Sequence, residues 1–144
     1  YHTLDLSMRP MVKAGNGGSI VLTSSVAGLV GLASPIAGSL GYTAAKHGIV
    51  GLMRTLANAL APHSIRVNSV HPTAVNTLMA TNDQMQDLLA NTPDGGGPHL
   101  QNPMPVSMLS PEDVSAAIAY LVSDEATYVT GVTFPVDAGF SNKL

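Results

Sequence analysis

Leu4, Met8, Met11 and Val12 repeat at the spacing of one helical face, which predicts an amphipathic helix over 1–12. No capping residue or initiator Met precedes it, so the chain reads as one entered part-way through an element. The Gly-rich stretch Lys13-Ala-Gly-Asn-Gly-Gly-Ser19 breaks that pattern, and the β-branched apolar run that follows predicts a buried strand over 19–24. Small residues and Pro35 make 25–41 a loop. Ala44, Ala45, Ile49, Leu52, Met53, Leu56 and Leu60 then predict a long amphipathic helix over 42–61, stopped by Pro62. Alternation over 65–70 predicts a second strand that stops before His71-Pro72. Two strands flanking one helix form a βαβ unit, hence a parallel sheet.

The stretch 73–108 lacks a sustained period and carries the run Gly95-Gly-Gly97; within it only 78–90 has a helical pattern. It reads as a long, mobile excursion. Ser110-Pro111-Glu112-Asp113 places a capping hydroxyl, a proline and two acids at a helix start, and that helix runs to about Val122. A last strand over 131–136 carries Pro135 near its end, as an edge position allows. The fold class is α/β, one domain over 1–144.

Composition narrows the function. Only 10% of the 144 residues are charged while 45% are apolar, against roughly 25% charged in an average soluble domain. Part of the surface is therefore expected to be an interface. A net charge of -3 with no basic block argues against a nucleic-acid backbone or an anionic membrane as partner. The absence of cysteine removes disulfides, thiolate metal sites and thiol nucleophiles, and the N-terminus lacks the layout of a signal peptide. The expected setting is cytoplasmic. His2, His47, His63, His71 and His99 lack metal-ligand spacing and are read as surface or capping residues, with no metal site. Met53, Met79, Met85 and Met104 are read as core or pocket lining, and Asn68 and Asp137 as backbone braces.

Tyr42 and Lys46 stand four apart on one helical face, so both can reach one small molecule. An ammonium within a few ångströms of a phenol favours the phenolate, which makes such a pair an acid and base. The spacing alone is commonplace. Its context is not: Ser25 follows the first strand and 71–77 follow the second, on the sheet edge where parallel sheets bind ligands.

Thr23-Ser24-Ser25-Val-Ala-Gly28, Tyr42-Thr-Ala-Ala-Lys46-His-Gly, Ile65-Arg-Val-Asn68-Ser-Val-His-Pro72, Tyr128-Val-Thr-Gly131 and Val136-Asp137-Ala-Gly139 resemble, in order, motifs of the short-chain dehydrogenase/reductase family. His71-Pro-Thr-Ala-Val-Asn-Thr77, Asn102-Pro-Met-Pro-Val106 and Ser110-Pro-Glu-Asp-Val114 resemble its carveol-dehydrogenase-like, mycofactocin-associated branch. The resemblance implies a Rossmann-type doubly wound parallel sheet, of which this chain is the C-terminal half. It implies that Tyr42 is the general acid and base, that Lys46 binds the nicotinamide ribose and assists the phenol, and that Ser25, second of the serine pair, hydrogen-bonds the substrate oxygen. Pro72 and Thr73 would line the nicotinamide ring, and Val75 and Thr77 would meet its carboxamide. Hydride would pass between the nicotinamide and a secondary alcohol or ketone. The branch implies NAD, with NADP open because the selecting residue is absent; the family implies a homo-tetramer. The segment 78–108 would be the substrate loop.

Departures from the family pattern bear on access and completeness. Thr73 stands where the family usually has Gly, and the loop from Ser25 to Tyr42 is longer than is common. No Gly-rich turn opens a helix after a strand; Gly15-Asn-Gly-Gly18 precedes a strand instead. The family's N-terminal nucleotide-binding strands are thus absent from this chain. At about 30 residues per βαβ unit they need on the order of 100 more residues, and the family's catalytic Asn would lie just before Tyr1. Two functions are therefore carried forward: the catalytic part of a nicotinamide-dependent oxidoreductase, or an inactive remnant that binds or assembles.

Overall fold

A computed structural model of the chain describes residues 2–32, 37–91 and 100–143. Tyr1, Pro35, the glycine run 95–97 and His99 lie outside the described residues. In order, the elements are helix α1 (His2–Ala14), strand β1 (Gly18–Thr23), helix α2 (Ala37–Leu60), strand β2 (Ile65–Pro72), helices α3 (Leu78–Thr81) and α4 (Asp83–Ala90), helix α5 (Pro111–Val122) and strand β3 (Thr133–Val136). Short 3-10 turns occupy Val26–Gly28, Ala61–His63, Asp124–Ala126 and Phe140–Asn142.

The described strands form one parallel sheet in the order β1-β2-β3. Thr23 stands opposite Val70 at the carboxyl end of the first pair, and Pro72 opposite Val136 at that of the second. Parallel neighbours need crossovers, and α2 supplies the one from β1 to β2. Alternate side chains of the sheet then face opposite layers. Ile20, Leu22, Ile65 and Val67 pack with Met53, Ala57 and Leu60 of α2 and with Met8, Met11 and Val12 of α1. Val21, Val70, Phe134 and Val136 pack with Val114, Ala117, Ile118 and Leu121 of α5. The result is a helix, sheet, helix sandwich, in which each fully buried aliphatic side chain contributes about 1.5–3 kcal/mol.

β2 is buried along almost its whole length although it alternates apolar and polar residues. Its polar members Arg66 and Asn68 are bonded to main chain. Arg66 donates from Nη1 to Leu121 O at 2.7 Å and Val129 O at 3.3 Å, and from Nη2 to Ser123 O at 3.1 Å. Asn68 donates to Val129 O at 2.8 Å and accepts from Val132 N at 3.1 Å. Asp137 accepts from Gly139 N, Ser141 N and Ser141 Oγ. Asn68 and Asp137 are the braces expected of them.

Several boundaries differ from the sequence expectation. α2 begins at Ala37, five residues before Tyr42, so the loop is shorter than its Gly and Ser content suggested; a helix once nucleated propagates at little cost into weak formers. The pattern over 78–90 is two helices, because Asn82 leaves the helical conformation and its side chain caps the second by accepting from Met85 N. β2 runs on through His71 and Pro72. The start of α5 is as expected: Ser110 Oγ accepts from Asp113 N at 3.2 Å and Asp113 Oδ2 from Ser110 N at 2.8 Å.

Candidate functional site

The carboxyl ends of β1 and β2 and the second and third turns of α2 are stitched together by a small set of hydrogen bonds. Ser24 is buried, and its hydroxyl donates to Lys46 O at 3.0 Å. Lys46 reaches back, its Nζ donating to Thr23 O at 3.2 Å and standing 5.4 Å from the centre of the Tyr42 ring. Gly28 allows the close approach: a Cβ there would lie 2.7 Å from Lys46 O, so only glycine lets the 3-10 turn rest on α2. The helix that carries Tyr42 and Lys46 is therefore fixed against the strand end that carries Ser25.

Ser25 is half-buried and extended, with φ -168° and ψ 165°, and its Oγ accepts from Ala27 N at 3.2 Å. That bond uses a lone pair and leaves the hydroxyl proton to be donated outward. The carbonyl of Ser25 accepts from Gly28 N at 2.9 Å and from His71 Nδ1 at 2.8 Å. His71 is fully buried, and its Nε2 bonds Ser69 Oγ at 2.8 Å. Desolvation holds its pKa below the ordinary 6.5; the bond to the Ser25 carbonyl opposes that shift, and the charges of Lys46 and His47 add to it. The reading of His71 as a surface or capping residue is corrected: it is an internal strut. His2, His47 and His63 are exposed.

Beyond β2, Pro72 is buried and Thr73 half-buried. Thr73 Oγ1 donates to Asn102 Oδ1 at 2.9 Å, and Asn102 Nδ2 donates to Val106 O at 2.8 Å. A glycine at position 73 would have no hydroxyl for this latch. Val75 forms an isolated parallel bridge with Leu109, made by Ala74 O and Asn76 N, so the bridge leaves the amide of Val75 itself out. Thr77 Oγ1 lies 3.4 Å from Val75 O. Val75 and Thr77 thus follow the strand end along the same loop, which Ala74 and Asn76 tie to Leu109. Met53 is core, whereas Leu78, Met79, Leu100, Met104 and Met108 are exposed along the excursion.

The site holds a phenol, an ammonium, a hydroxyl donor and loop hydroxyls at one sheet edge, a set suited to moving a proton on a substrate oxygen. Among the described residues, no group of three or more His, Asp or Glu side chains is placed to hold a metal ion, and no helix is long and apolar enough to cross a membrane. Sequence reasoning missed His71, Gly28 and Asn102. Gly28 and Asn102 stand inside motifs that were read for other residues, and the polar His71 in a buried strand was the signal for the third.

Comparisons with known proteins agree with this chemistry. A family model described as enoyl-(acyl carrier protein) reductase matches residues 4–141. An uncharacterized oxidoreductase of Mycobacterium tuberculosis is 56% identical over 144 residues, covering 99% of this chain and 53% of the relative. The (-)-trans-carveol dehydrogenase of Rhodococcus erythropolis is 44% identical over 152 residues, covering 99% of this chain and 53% of the relative. The crystal structure of carveol dehydrogenase from Mycobacterium avium in complex with NAD superposes with a TM-score of 0.85 at 46% identity, over 99% of this chain and 52% of that one. The chain spans about half the length of the curated relatives it matches.

Proposed function

The chain belongs to the short-chain dehydrogenase/reductase family of oxidoreductases, and on that footing we propose that it carries the catalytic residues of an NAD-dependent dehydrogenase or ketoreductase for apolar secondary alcohols or ketones. The observation that carries this reading is the placing of Lys46, whose ammonium spans from the Tyr42 ring to the carbonyl of Thr23. It puts a fixed positive charge beside a phenol at the sheet edge where Ser25 offers its hydroxyl.

The residues fit a nicotinamide nucleoside. The ammonium of Lys46 suits ribose hydroxyls, Pro72 and Thr73 offer a wall for the ring, and the amide of Val75 and the hydroxyl of Thr77 suit a carboxamide. NAD, when bound, accepts or returns the hydride; NADP stays open. In the oxidative direction Tyr42 Oη takes the alcohol proton as the carbon loses hydride, and Lys46 stabilises the phenolate. Ser25 donates a hydrogen bond to the substrate oxygen as its charge changes. The segment 78–108, of which 92–99 lie outside the described residues, closes over the apolar part of the substrate with exposed Leu78, Met79, Leu100 and Met104. The enzyme is read as a cytoplasmic homo-tetramer joined through α1 and α2.

The test is Tyr42→Phe in the full-length protein that carries this chain. Oxidation of a secondary alcohol should fall by roughly 10²–10⁴-fold while NAD binding, measured by calorimetry, is retained. Undiminished turnover would remove Tyr42 from the chemistry and the reading with it.

A further inference from the structure

We infer that His71 is a positioning residue, the strut that ties the main chain of Ser25 to the central strand and so sets where that serine stands at the sheet edge. The inference rests on the reading of Ser25 as the donor to the substrate oxygen. Main-chain pairing between β1 and β2 reaches only to Ser24, whose N–H donates to Val70 O at 2.8 Å. One residue further on, the side chain of His71 takes over from the ladder and bonds Ser25 O at 2.8 Å. The other bond to that carbonyl comes from Gly28, inside the same turn, so it does not reach the strand. His71 therefore links the serine's own peptide to the central strand.

The partners also dictate the state of the ring. A carbonyl oxygen has no proton to give, so Nδ1 carries the hydrogen. Nε2 then accepts from the hydroxyl of Ser69, 2.8 Å away. With both nitrogens engaged and no exposure to solvent, one tautomer and one ring orientation satisfy the site. Misplacing a reacting group by about 1 Å can cost on the order of a hundredfold in rate, so a strut of this kind acts on turnover through Ser25 without touching substrate.

Two variants separate positioning from packing. In His71→Asn the amide takes up the place of Nδ1 and still donates to Ser25 O; in His71→Gln it extends towards Ser69 and leaves Ser25 O unserved. Assayed in the full-length protein, H71Q should lower kcat by roughly tenfold to a hundredfold with KM for NAD unchanged, and H71N should restore most of the loss. In a Ser25→Ala background, H71Q should cost almost nothing more, because the group it positions is gone. Equal losses in H71N and H71Q, or full multiplication of the H71Q loss in the S25A background, would overturn the inference. If S25A itself turned over normally, the reading of the site would fall and this inference with it. A readout independent of activity covers variants that fail to fold: long-range 1H–15N spectra of the unmutated protein should show a protonated Nδ1 and an unprotonated Nε2 at neutral pH. The opposite tautomer would overturn the strut whatever the kinetics.

Discussion

Ser24 and Ser25 are chemically identical neighbours that the fold assigns to different tasks. Ser24 is buried and spends its hydroxyl on Lys46 O, while Ser25 keeps its proton for an outside partner. His71, beneath them, gives stability a pH dependence whose sign follows from burial. Its folded pKa is lowered, mainly by desolvation, from the ordinary 6.5. Below about 6.5 the unfolded chain takes up a proton that the folded chain still refuses, so stability is complete above that value and falls with pH until the folded pKa is passed. Thermal unfolding of the unmutated protein should therefore shift to lower temperature between about pH 7.5 and pH 5.5, and by more than that of H71N; parallel shifts in the two would assign the dependence to other groups. That Lys46 stands beside the Tyr42 ring was legible in the sequence, because the spacing of four on one helix is local. His71 was not, because one of its partners lies 46 residues away and only the folded sheet brings the two together.

At the scale of elements, the end of α5 depends on β2. Helices leave their last carbonyls unpaired, and those of Leu121 and Ser123 are met by the guanidinium of Arg66, with Ser19 Oγ adding a 3.0 Å bond to Leu121 O. The positive charge also complements the helix dipole. Arg66→Met keeps the aliphatic stem but strips only the Ser123 carbonyl of its partner in the sheet, since Asn68 still serves Val129 O and Ser19 still serves Leu121 O, and should cost roughly 1–3 kcal/mol in urea unfolding. A loss below about 0.5 kcal/mol would mean that water replaces the guanidinium there. The start of α5 could be read in advance, since Ser110 and Asp113 cap each other within one turn. Its end could not, since the cap comes from a strand 55 residues earlier. In α2 the amphipathic pattern from Tyr42 was legible, but the first turn over Gly38, Ser39 and Gly41, with weak helix formers and no periodic signal, was not.

For the whole molecule, the sandwich leaves α1 and α2 as one outer layer, and Leu6, Leu40 and Leu52 of those helices are exposed. Leu52→Glu should break an assembly through this layer, so light scattering of the full-length protein should give a smaller species than the unmutated one; an unchanged mass would place the interface elsewhere. The parallel order of β1 and β2 followed from the βαβ pattern, whereas the anchoring of 100–109 by Thr73 and by the Met104 N to Ala138 O bond had no periodic signal. The grip of β2 on the stretch after α5 bears on how this chain tolerates change. Arg66 and Asn68 hold carbonyls and an amide, groups that every residue other than proline possesses. Asp124 and Glu125, exposed between the gripped positions, are thus free to drift: a surface whose shape is guaranteed by the strand while its chemistry is left open to selection.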